Sequence, residues 1–120
     1  MRHFPEKLDL ALVKRLRQVV GGQVATEAEL RALADQADGW ARATDAQLRA
    51  AEERLTQLNA NPASPLSEIA TEVRRVDALS RELKEARQLI EGLELRTREL
   101  RTAWLKHHAE AGSPFGSPKT

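Results

Sequence analysis

Apolar residues recur every three or four positions along almost the whole chain, and two breaks divide that rhythm into three stretches. In the first, about 6–20, Leu8, Leu12, Leu16 and Val19 keep helical spacing while Leu10, Val13 and Val20 widen the stripe. Side chains so spaced fall on one face of an α-helix, which predicts a short helix with a broad apolar face. Pro5 suits its first turn, and Gly21-Gly22 ends it because glycine takes the left-handed cap conformation without a Cβ clash. A face that broad should pack against two neighbours at once.

Thr26 followed by Glu29 is a capping-box signature, in which the hydroxyl accepts from the third amide and the carboxylate reaches back to the cap amide. A second helix is therefore expected over about 26–60, burying Leu30, Leu33, Ala37, Trp40, Thr44, Leu48, Ala51, Leu55 and Leu58. Successive steps of four around Thr44 form a stutter, which locally relaxes left-handed supercoiling. Gly39 costs about 1 kcal/mol relative to alanine in a helix interior, so it marks either room for Trp40 and a close helix approach or a weak spot.

The second break, from Asn59 to Pro65, ends with Ser64 as a candidate cap and Pro65 as a candidate first helical residue. A third helix then predicts itself over about 65–109, with its seam at Leu66, Ile69, Val73, Val76, Leu79, Leu83, Ala86, Ile90, Leu93, Thr97, Leu100, Trp104 and His107. One doubled step of three, from Val73 through Val76 to Leu79, would overwind the coil as a stammer. Paired about Pro62 and Ala63, the long helices form an antiparallel coiled-coil-like hairpin in which facing residue numbers add to about 125. Leu55 then meets Ala70 and Leu33 meets Gly92. At 1.5 Å per residue the third helix, about 67 Å, overshoots the second, about 52 Å. Trp104 lies in the overshoot, and the first helix is expected to pack at this open end and cover it.

Composition agrees with an all-α chain of 120 residues: 31% charged, 41% hydrophobic and only 3% aromatic. The single domain is expected over 1–111, with 112–120 a glycine- and proline-rich disordered tail carrying Phe115. Without cysteine there is no disulfide, thiolate nucleophile or cysteine zinc site. No apolar run approaches the roughly 20 residues of a membrane span, and a cytoplasmic protein with no membrane partner is expected. The net charge of +1 is unevenly spread: residues 1–25 carry +3, 26–60 carry −3, 61–95 carry −2 and 96–120 carry +3. The hairpin geometry gathers both positive segments at one end. Acid-first pairs four apart (Glu27 with Arg31, Asp38 with Arg42, Asp45 with Arg49, Asp77 with Arg81, Glu94 with Arg98) support helicity rather than a site.

Candidate chemistry is sparse. Gly21-Gly22-Gln23 is identical to the tripeptide with which peptide-release factors position water, but it joins two helices here, without their α/β surroundings or long basic extension, and reads as helix punctuation. His107, His108 and Glu110 lack a full set of metal ligands on one face, and no triad, phosphate loop or carboxylate pair stands out. A cofactor-free, non-enzymatic protein–protein interaction or assembly module is the expectation, one that oligomerises, most simply as a homo-oligomer, or docks on a helical partner. Its apolar contacts would come from Leu8, Leu12, Leu16, Trp40, Leu100 and Trp104, and its basic ones from Lys14, Arg15, Arg17, Arg96, Arg98 and Arg101. The alternative is a nucleic-acid-binding accessory protein that uses the same basic end, without interleaved aromatics to stack on bases.

Overall fold

The computed structural model describes the backbone of residues 3–111 and the side chains of residues 10–109; the expected tail lies outside them. The fold is all-α, with helices α1 (His3–Val20), α2 (Glu27–Ala60) and α3 (Leu66–Ala111). The contacts Glu27–Arg101, Trp40–Glu82 and Arg54–Glu72 set α2 and α3 antiparallel, in the register where paired numbers add to about 125. The result is a rod of 80 × 27 × 18 Å.

Each helix end has a local cause. The Gln23 amide donates to the Gln18 carbonyl at 3.0 Å and the Gly22 amide to the Val19 carbonyl at 3.1 Å, the paired bonds of a Schellman cap. Gly22 has φ 118°, which an L side chain rarely adopts. Thr26 caps α2 by accepting from the Glu29 amide at 3.0 Å. The Glu29 carboxylate turns instead to Arg15 on α1, so only half of the expected capping box forms. In the second turn Asn61 closes the chain reversal, its Oδ1 accepting from the Ala63 amide and its carbonyl from the Ser64 amide, both at 3.0 Å, while the hydroxyl of Ser64, the expected cap, accepts from no described amide of α3. Helix α3 starts at Leu66, one residue later than expected, with the Pro65 carbonyl accepting from the amides of Glu68 and Ile69.

Helix α1 folds back along the open half of the hairpin, antiparallel to α2 and parallel to α3. Arg15 faces Glu29, Arg17 faces Glu85, and Val20 lies against Gly92, where an added Cβ would come within 2.9 Å of the valine. Leu12, Leu16 and Val19 thereby join Leu30, Leu33, Ala37, Trp40, Ala86 and Leu93 in one core, with Val13 and Val20 packed against it; Leu10, expected to widen the same face, is instead 73% exposed. Burying side chains of this size contributes roughly 1.5–3 kcal/mol each. One polar layer interrupts the core: Trp40 Nε1 donates to a Glu82 carboxylate oxygen at 2.8 Å, and the buried Thr44 hydroxyl, at the stutter, donates to the same oxygen at 3.2 Å.

Several expectations about the seam are corrected. Leu66, its expected first residue, is 82% exposed at the start of α3, and Val73 is 48% exposed with Glu72 buried in its place. With Ile69, Glu72, Val76, Leu79 and Leu83 turned inward, α3 keeps an unbroken alternation of three and four and has no stammer. Coil continuity wins over the burial of one valine, with Arg54 reaching Glu72 at 3.4 Å to offset the buried carboxylate. Trp104 is 59% exposed, because α1 turns back at Gly21-Gly22 and lies below the overshoot instead of over it.

Candidate interaction surface

Helix α2 begins at Glu27 opposite Arg101, so the last ten or so residues of α3, about 15 Å, project beyond both neighbours. The seam does not stop there: Leu100, Trp104 and His107 continue it at steps of four and three. Leu100 is half-buried, whereas Trp104 and Leu105 are about 60% exposed. The Trp104 ring lies 4.0 Å between centroids from His108, one turn on, which holds the indole against the helix. An indole of this size exposed at the end of a hydrophobic stripe is the most prominent uncovered apolar feature at this end of the rod.

The remaining sequence-derived apolar residues divide sharply. Leu12, Leu16 and Trp40 are buried within the chain's own core, and the side chain of Leu8 lies outside those described. Only Trp104, flanked by Leu100, stands free. Leu105 joins it on the surface without having been singled out, since it lies off the seam and no heptad reading selects it.

Among the basic candidates, most charges are spent internally. Arg15 donates to Glu29 at 2.7 Å and to Gln23 at 3.0 Å, Arg17 pairs with Glu85, and Arg101 donates to Glu27 at 3.2 Å. The hydrogen bond from Arg101 holds Glu27 below the usual carboxylate range, and that from Arg15 does the same for Glu29. Arg96 donates to the Gly22 carbonyl at 2.9 Å and clasps the α1–α2 joint, with its Nε buried and unpartnered. Lys14 and Arg98 alone of the six form no ion pair among the described residues. The basic end is thus a set of clamps holding three helices together. No sequence rule links residues 74 positions apart, so this role was not readable beforehand.

Among the described residues there is no group of three His, Asp or Glu placed to hold a metal ion, and no helix is long and apolar enough to cross a membrane. The open groove opposite α1 has a floor of Leu30, Ala34, Ile90 and Leu93 and a rim of both signs, from Asp35, Asp38 and Glu94 to Arg31 and Arg98. No protein-family model, curated protein or solved structure matches the chain.

Proposed function

We propose that the chain is a non-enzymatic interaction or assembly module which associates, with itself or with another helix, through the uncovered seam at the projecting end of α3. The observation that carries this reading is the exposure of Trp104 and Leu105 on a helix whose stripe has lost both covering neighbours. A helix laid along that stripe would continue the packing that Leu93 and Ile90 make lower down. Internal pairing of Arg15, Arg17 and Arg101 weakens the nucleic-acid alternative, since each phosphate contact would have to displace a glutamate.

The test is sedimentation of the full chain across a concentration range, together with capture of proteins from an extract, for the wild type and Trp104→Asp. The expected outcome is an oligomer or a captured complex that Trp104→Asp dissolves, with a loss of about 2 kcal/mol or more of association free energy, the scale of an interface anchor. Helicity and melting temperature should not change, because the residue contributes nothing to the core. The reading fails if association survives Trp104→Asp, if none is found, or if salt-sensitive nucleic-acid retention that depends on Arg15, Arg17 and Arg101 is the sole binding activity.

A further inference from the structure

Helix α1 occupies only part of the furrow it lies in. Along α3, the row Arg75, Ala78, Glu82, Glu85, Leu89, Gly92 and Arg96 advances by alternating steps of three and four, and so marks one face of the helix. Its upper members hold α1: Glu85 pairs with Arg17, Gly92 touches Val20 and Arg96 reaches Gly22. The matching row on α2 runs from Glu29, which pairs with Arg15, through Leu33, Gln36, Trp40, Ala43, Gln47 and Ala50 to Arg54. At 18 residues, α1 is about 27 Å long. Farther toward the turn a groove of about 350 Å³ opens on the same face between Gln47, Ala50 and Arg54 of α2 and Arg75, Ala78 and Leu79 of α3, with no described α1 side chain in its lining.

The two lengths of the furrow differ in the groups that edge them. In the filled length Glu29 and Glu85 pair with Arg15 and Arg17 of α1, and Arg96 reaches the Gly22 carbonyl. The bare length is edged by Arg54 and Arg75. Arg75 forms no ion pair among the described residues and is the free charge of the groove; Arg54, whose side chain is 55% exposed, is paired at 3.4 Å with the buried Glu72 and has guanidinium nitrogens left to share. The carboxylate on this row, Glu82, is already engaged by Trp40 and Thr44. The floor of Ala50, Ala78 and Leu79 is low enough for a helix backbone to approach closely. A second copy presenting the same face would set these arginines against their own counterparts, which costs affinity.

We propose that this groove is a docking site for an acidic amphipathic helix of a partner protein, seated between α2 and α3 in line with α1. Small or apolar side chains of the ligand would meet the alanine floor, and carboxylates on the two edges of that apolar face would reach Arg54 on one side and Arg75 on the other. The proposal belongs to the reading of the chain as an interaction module but uses a different surface from Trp104.

Fluorescence anisotropy of the full-length chain decides it, with three labelled probes: a helical peptide carrying Glu at the two edges of an Ala/Leu face, its Lys-for-Glu counterpart, and a short DNA duplex. The acidic peptide should bind, more weakly as salt rises, and Arg75→Glu should weaken it by about tenfold or more. Ala78→Trp, which fills the groove without touching a charge, should block it as well. Both positions are exposed, so unchanged melting is expected of either variant. Trp104→Asp should leave this binding intact, which separates its failure from failure of the seam reading. The proposal is overturned if the acidic peptide fails to bind, if both peptides bind alike, if Arg75→Glu and Ala78→Trp have no effect, if DNA binds the groove more tightly than the peptide, or if Arg75→Glu acts only on self-association.

Discussion

Two glycines of α2 and α3 that look alike in the sequence play opposite parts. A Cβ on Gly39 would meet nothing within 4 Å, so neither Trp40 nor a neighbouring helix needs the space; of the two sequence readings, the weak spot is correct. Gly39→Ala should raise stability by about 1 kcal/mol, seen as a higher melting temperature in circular dichroism. Gly92 is the point of closest approach between α1 and α3, with the stiff, β-branched Val20 against it. Gly92→Leu should therefore cost about 1–3 kcal/mol by driving α1 outward, and Val20→Ala in the same chain should recover part of the loss. Glu72 poses the reverse question, a carboxylate buried where an apolar residue would fit. Glu72→Leu should stabilise the hairpin by about 1 kcal/mol or more in a urea melt, whereas Arg54→Ala, which strands the carboxylate, should destabilise it.

At the scale of elements, the two long helices were legible because their signals are local: spacing, caps, glycine and proline. Of the five acid-first pairs, four form, and Glu94–Arg98 does not. The placement of α1 was only half legible. Its broad face announced two neighbours, but the direction in which it folds back depends on the Gly92 approach and on clamps between residues far apart in sequence, and neither leaves a periodic trace. The Trp104 expectation failed for that reason. The clamps also give the open end of the rod a pH dependence, through Arg15–Glu29 between α1 and α2 and Arg101–Glu27 between α2 and α3. Glu29 and Glu27 titrate below their unfolded values because Arg15 and Arg101 bond their ionised forms. Stability from a depressed carboxylate is fully present above its unfolded pKa and is lost as pH falls through the folded value. Acidification below about pH 4 should thus loosen the α1 joint ahead of global unfolding, detected as faster amide exchange in α1. Glu29→Gln should be looser at neutral pH and flatter across this range. Identical acid profiles for the two proteins would refute the clamp.

The whole molecule departs from a compact domain. Its radius of gyration is 21.5 Å, against about 14 Å for a globular chain of this length. A rod this thin has more surface than core, and charge organises part of that surface: Arg15 and Arg17 of α1 meet Glu29 and Glu85, and a bare furrow edged with arginine follows. The segmental charges read from the sequence located the sign changes but not their meaning, since most arginines at the open end face inward to glutamates rather than outward to a ligand. Two of the surface features left uncovered, the Trp104 stripe and the Arg75 groove, lie at opposite stretches of the rod and on separate surfaces. The two proposed contacts would therefore not compete.

The limited reach of α1 also makes the rod mechanically uneven. Three helices form the section at its base and two the section toward its tip, and bending stiffness rises steeply with the breadth of a beam. Sideways load on the tip should therefore bend the two-helix section before the three-helix one, a stout shaft carrying a pliant arm.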